Sequence, residues 1–405
     1  MKELERWPHN WGLVRIDKAF RVSVSRFVGN FLSTTGNKAR IRRVKTIVSR
    51  DRLTRLLNGK QNSPMRILYI EYLRVAAILA VIVIHVTVKP YNKFGEIDQL
   101  SWWVSNFLNS ASRFAVPLFV MISGAVLLGK SMSTADFYRK RAVRLLPPIF
   151  FWTIVYVLFR VYLGMDIDGL ISFLKVDLLA EGGAYVHLWY LAMYACLMPF
   201  VPFINKFLIG EKPSSSDLVV FVTIVGIFFF LNTVFSVTSE LRGITMVWFT
   251  SFPWYIGYLV IGYAIEQYGK FIDIRNSIIA ASIFLLATIG SWLNYYAADS
   301  LGIVNDYFIL NNTGILVFSM SLFVFYLGKN SESAFKKNKI IAKISEASFG
   351  MYLIHPLFLG FISPIYNGHG IPGYVYVPLA VMAISFLSYF SVSAMRSNKY
   401  LRMVC

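Results

Sequence analysis

Residues 67–88 read ILYIEYLRVAAILAVIVIHVTV, an apolar run long enough to cross a bilayer as a single helix. Three ionisable side chains interrupt it: Glu71, Arg74 and His85. At about 100° per residue, the eleven steps from Arg74 to His85 return to within roughly 20° of the start, so the two share one face about 16 Å apart. Glu71 falls on the same stripe, one turn before Arg74. Ionisable groups are costly in hydrocarbon and normally face a bundle interior or a wet cavity. The spacing points to a working face; a structural Glu71–Arg74 ion pair with a packing histidine is the other reading it allows.

The same pattern extends along the chain, which has 405 residues, 56% hydrophobic and 15% charged. Apolar blocks of about twenty residues predict an all-α, polytopic membrane helix bundle with about ten transmembrane helices. The predicted spans are 67–88, 107–128, 145–163, 187–204, 218–237, 248–267, 277–296, 308–328, 346–364 and 375–395. Kinks are expected at Pro199 and Pro202 in the fourth span and at Pro356 in the ninth.

Alternate connections differ in charge. Segments 129–147, 205–217, 268–276, 329–345 and 396–405 carry 17 Lys and Arg, whereas 89–113, 164–186, 238–247, 297–306 and 365–374 carry five, against nine acidic residues. The positive-inside rule then puts both termini in the cytoplasm. Most of the net charge of +19 is this topological signal, so the expected partner is membrane lipid and not nucleic acid. Cys196 and Cys405 imply no disulfide framework, and the five histidines lack metal-ligand spacing, so no metal is expected.

Residues 1–65 form a basic cytoplasmic tail with four acidic residues and interspersed aromatics. Two readings stand: an amphipathic segment on anionic lipid, or sequence upstream of a natural start at Met65. A second short tail follows at 397–405.

Five segments carry a resemblance. YIEYLRVAAILAVIVIHV (69–86), SRFAVPLFVMISGAVLL (112–128), YRKRAVRLLPPIFFW (138–152), HLWYL (187–191) and SFGMYLIHPL (348–357) resemble, in order, the signature segments of the membrane acyltransferase-3 family, with the transmembrane domain at 66–396. NFLNSASRFAVPLFVMISG (106–124) looks most like the branch that includes the enterobacterial common antigen O-acetyltransferase. The resemblance implies ten helices in the bacterial inner (plasma) membrane and transfer of an acyl group, usually acetyl from acetyl-CoA, to a hydroxyl of an extracytoplasmic or lipid-linked glycan. It also implies that His85, separated from Arg74 by ten residues, is catalytic. Where the family often has Asp, this chain has Glu71, which leaves the role of that carboxylate open.

Chemistry supports parts of this independently. Acylating a sugar hydroxyl requires a base, and histidine titrates in the useful range; His85 is the candidate, with Arg74 holding the thioester end or stabilising charge. Arg141 and Arg144, one turn apart at the cytoplasmic start of the third span, suit coenzyme A phosphates, although arginines in that position also set topology. Ser348, Tyr352 and His355 form one polar stripe on the ninth helix. There His355 is expected about midway through the membrane, either lining a passage for the acyl-pantetheine arm or bonding a neighbouring helix. His187 begins the fourth span beside Trp189, where acceptor sugar and an aromatic belt are both possible reasons. Arg113, at the expected outer start of the second span, is a candidate for acceptor or oxyanion contact. Ser123 and Gly124 read as a close-packing site. A secondary transporter or exporter of lipid-linked glycan is the alternative, since intramembrane charges also build substrate pathways.

Overall fold

A computed structural model describes residues 67–166, 169, 185–242, 247–269, 274–305, 309–366 and 370–405; side chains at 186, 229, 232–242 and 247–251 are not described. The tail at 1–65 and most of the 164–186 connection lie outside these residues. The described residues form twelve α-helices: α1 (Leu68–Tyr91), α2 (Gln99–Ser112), α3 (Ala115–Leu127), α4 (Thr134–Tyr162), α5 (Trp189–Leu197), α6 (Val201–Ile209), α7 (Ser215–Arg242), α8 (Val247–Tyr268), α9 (Asn276–Leu301), α10 (Ile315–Asn330), α11 (Lys339–Ile362) and α12 (Gly373–Ser397). No strand occurs among the described residues. Among the described residues, seven helical stretches are long and apolar enough to cross a membrane, with α2–α3 and α5–α6 each counted as one, and two shorter apolar stretches join them. The chain is an all-α, multi-pass membrane bundle.

Proline explains the interruptions. Pro117 lacks the N–H that would bond the carbonyl of Arg113, four residues earlier, and the helix breaks at Arg113–Phe114 between α2 and α3. Around Pro199 and Pro202 a 3₁₀ turn, Met198–Phe200, separates α5 from α6, as the sequence led us to expect. The Tyr138 hydroxyl satisfies one of the carbonyls there, donating to Pro199 O at 2.7 Å.

Helix α1 is the hub, packed against α2, α3, α10, α11 and α12. Beside it, α3 and α8 approach to backbone distance. A Cβ built on Gly124 would lie 1.8 Å from the Leu259 carbonyl oxygen, and one on Gly262 would lie 2.0 Å from Met121 O. Without a hydrophobic drive between helices in lipid, such small residues permit the close packing that replaces it, so the expectation for Ser123–Gly124 holds. Outward faces stay apolar, as at Phe150, Ile154 and Leu158 of α4, while polar side chains gather inside.

The second span begins eight residues earlier than expected. Ser101, Ser105 and Asn106 precede the expected span, and Asn109 and Ser110 open it, yet all five are fully buried. Asn106 donates to Ser291 O at 2.9 Å and accepts from Asn294 Nδ2 at 3.1 Å, while Asn109 donates to Thr87 Oγ1 at 3.0 Å. Bonding across α1, α2 and α9 satisfies groups that would otherwise be costly in the bilayer.

Candidate active site

Two groups of side chains lie at different levels of α1. The first is at the end bearing the basic connections. Glu71 projects from the first turn of α1 and Arg74 from the second, and Arg74 is within electrostatic reach of Arg144 of α4, Glu71 and Tyr194. Arg141, one turn before Arg144, is within reach of Arg144 and Tyr194. Its guanidinium lies 5.4 Å from the Phe137 ring centroid, and its buried Nε has no hydrogen-bond partner among the described residues. Arg144 thus has two other guanidiniums within reach, Arg74 and Arg141; like charges repel, an arrangement suited to an anion that bonds more than one of them. The sequence reading paired Arg141 with Arg144; the fold adds Arg74, which neighbours Arg144, while His85 lies about 16 Å further along the helix axis.

The second group lies toward the other end. His85 of α1, His355 of α11 and His187 of the 3₁₀ turn Val186–Leu188 converge: the His85 and His355 ring centroids are 5.1 Å apart, and those of His187 and His355 are 5.6 Å apart. The sequence reading treated His355 and His85 separately; the fold brings their rings together. His187 and His355 are buried, whereas His85 is partly exposed. Among the described residues, His187 Nδ1 and Nε2 and His355 Nε2 lack a hydrogen-bond partner. The Leu353 carbonyl beside His187 already accepts from the Tyr156 hydroxyl at 2.6 Å. No group of three His, Cys, Asp or Glu side chains among the described residues could hold a metal ion.

Tyrosines connect the two levels. Tyr194 and Tyr190 are one turn apart on α5 with ring centroids 5.9 Å apart; Tyr190 meets Tyr352 of α11 at 5.5 Å, and Tyr352 meets His187 at 5.4 Å. The Tyr352 hydroxyl donates to the His187 carbonyl, and Tyr194 donates to Ser123 Oγ at 3.1 Å. Tyr352 therefore holds the histidine turn in place. Tyr190 and Tyr194 were not singled out in sequence; their i, i+4 spacing directly after HLW was the available signal.

Arg113 requires a correction. It does not sit at the outer start of its span, because that span begins at Gln99; it lies at the α2–α3 break, 1% exposed, donating from Nε to Asn109 Oδ1 at 2.8 Å. A fully buried guanidinium is tolerated where acceptors surround it, and this one is part of the α1–α2–α9 polar network.

A separate charged group went unread. Lys329 carries a topological charge in sequence, but it is 5% exposed, pairs with Glu266 and Glu332 at 3.0 Å each, and lies 4.8 Å from the Tyr69 ring centroid. Tyr69 in turn donates to Glu266, which ties the start of α1 to α8 and α10. A cleft of about 410 Å³ opens beside Lys329 and Glu332; none of the residues of the arginine or histidine groups lines it.

A bundle with ionisable groups aligned on its first helix and paired arginines on the next long one is the form expected of a membrane acyltransferase. A family model described as an acyltransferase domain matches residues 67–394, and the chain belongs to that family. No curated protein and no solved structure matches it.

Proposed function

We propose that this membrane acyltransferase is an O-acetyltransferase of the bacterial inner membrane that moves acetyl from cytoplasmic acetyl-CoA to a hydroxyl of an extracytoplasmic or lipid-linked glycan. One observation carries the reading: a three-guanidinium cluster and a three-imidazole cluster at two levels of the same helix. Along α1 the levels are about 16 Å apart. The pantetheine arm of coenzyme A has as many chain bonds as about four extended residues, which span about 14 Å. Phosphates on Arg141, Arg144 and Arg74 would therefore leave the thioester close to His85.

In this mechanism His85 removes the hydroxyl proton as the oxygen attacks the thioester carbonyl. The new C–O bond forms, the C–S bond breaks, and the proton passes from His85 to the departing thiolate, so that ester and free coenzyme A leave. Glu71 orients Arg74. His187 and Tyr352 are the nearest candidates for contact with the acceptor sugar, whereas Arg113, enclosed in its own network, supports the helix break that flanks the site. The resemblance at 106–124 makes a glycan of the enterobacterial common antigen type the first acceptor to test.

Purified protein in nanodiscs, offered acetyl-CoA radiolabelled in the acetyl group and a lipid-linked glycan, should yield labelled glycan. Failure with this donor and with longer acyl-CoA thioesters, combined with glycan movement into sealed vesicles, would favour the exporter instead.

A further inference from the structure

The strongest unexplained feature of the site is the lone pair on His355. Pro356 has no N–H, so the carbonyl of Tyr352, four residues before it, loses its helical donor. His355 replaces that donor: its Nδ1 lies 2.8 Å from Tyr352 O, with Met351 O at 3.3 Å. A carbonyl can only accept, so Nδ1 carries the hydrogen and, in the neutral ring, Nε2 carries the lone pair. That atom is buried, and no donor reaches it among the described residues. A buried acceptor left in this state is destabilising, and such groups recur where function requires them. The ring nearest in kind is His85, at 5.1 Å between centroids, a separation at which two imidazole edges can meet nitrogen to nitrogen at about 3 Å after a small ring rotation.

We infer that His355 is the positioning residue for His85: its Nε2 accepts an N–H from the His85 ring, fixing the His85 tautomer so that the opposite nitrogen faces the acceptor hydroxyl. The inference rests on the acyl-transfer reading above and assigns His355 a role in it distinct from substrate contact. When His85 takes the hydroxyl proton it becomes an imidazolium, and the Nε2 lone pair stabilises that charge until the proton leaves on the thiolate sulfur. His355 itself gains and loses no proton. The logic is that of a carboxylate orienting a catalytic histidine, carried out by a neutral group that tolerates burial where a carboxylate would not.

The test compares two substitutions of similar size. His355→Gln keeps an acceptor oxygen near the Nε2 position, whereas His355→Leu keeps the packing and removes the acceptor. If His355 orients His85, the Gln variant should lie within ~10-fold of wild-type kcat and the Leu variant should fall by about 100-fold or more, with KM for acetyl-CoA within about threefold in both. A packing role predicts the reverse order, because an apolar core accepts Leu more readily than Gln; Leu as active as Gln, or more so, overturns the inference. Nitrogen NMR of ¹⁵N-histidine-labelled wild-type protein, with His355 assigned from the spectrum of the Gln variant, provides a measurement independent of turnover. A protonated Nδ1 and bare Nε2 support it, and the opposite tautomer overturns it. Should wild-type protein transfer no acyl group, the acyl-transfer reading fails on that result alone, while the tautomer is still decided by the spectrum.

Discussion

Arg113 Nε donates to Asn109 Oδ1 at 2.8 Å across the last turn of α2, at the point where Pro117 breaks the span. Asn109 also donates to Thr87 Oγ1 at 3.0 Å, so one amide links the buried guanidinium to α1 two residues beyond His85. Asn109→Ala removes both bonds and weakens the shielding of a buried cation, which should cost about 1–3 kcal/mol. Thermal unfolding in detergent should show a clear drop, and Asn109→Asp, which restores an acceptor for Arg113, should recover part of it.

Gly124 tests the α3–α8 contact. A methyl group there would meet the Leu259 carbonyl at 1.8 Å, and backbone cannot move aside as a flexible side chain can. Gly124→Ala should destabilise by about 1–3 kcal/mol or more, and Gly124→Val should abolish monodisperse protein in size-exclusion chromatography. Glycine at 226, whose added Cβ meets nothing within 4 Å, is the matched control and should accept Ala without loss.

Substituting His85 by Ala removes the proposed base. Protein abundance should stay near wild type, because the ring is partly exposed and its removal leaves the α1 hub intact, while O-acetylation should fall by about 100-fold or more. Quantifying glycan acetyl groups in complemented deletion cells measures this, and retention of most of the activity would reject His85 as base.

The paired guanidiniums should affect the donor and not the acceptor. Arg141→Lys and Arg144→Lys each retain charge but lose the planar fork that holds two phosphate oxygens. Each should raise KM for acetyl-CoA by about tenfold, equivalent to about 1.4 kcal/mol, with KM for glycan unchanged in initial-rate measurements.

Asp98 provides a pH-dependent prediction outside the membrane. Its carboxylate caps α2 by accepting from Ser101 N at 2.8 Å, and hydrogen bonds from Ser101 hold the carboxyl below its ordinary range. A depressed value in the folded state stabilises at neutral pH; the gain is present above the unfolded value, about 3.9, and is lost as pH falls through the folded one. Asp98→Ala should therefore melt below wild type at pH 7, and the gap should narrow below about pH 4. Asp98→Asn, which keeps an acceptor without a charge, should show a smaller gap at pH 7 that narrows by the same amount, since only the wild-type carboxyl titrates.

The sequence carried the bundle well because hydropathy and proline act locally. The face shared by Glu71, Arg74 and His85, the interruption at Pro199 and Pro202 and the small-residue contact at Gly124 each depend on a few neighbouring residues. What the sequence did not disclose is adjacency. Helical periodicity says which side of α1 His85 occupies, but not that α11 and the turn at His187 bring two more imidazoles to it. Arg74 comes within electrostatic reach of Arg144 for the same reason, across two helices whose proximity no spacing encodes. The Ser- and Asn-rich start of α2 was misplaced because hydropathy measures each residue against lipid, whereas these side chains are satisfied by one another. Lys329 was hidden by its context among the lysines of 329–345, a segment that looks solvated throughout.

Helix α4, which carries Arg141 and Arg144, is attached differently from the glycine seam. Its tyrosine and tryptophan side chains reach backbone oxygens of Pro199, Leu353 and Val404, and much of its surface faces outward. Two of these pins, Trp152 and Tyr156, are fully buried, and the Tyr156 ring lies 4.9 Å from that of His187. The element that would grip the donor is thus braced against the imidazoles it would serve, so a shift at one would be felt at the other.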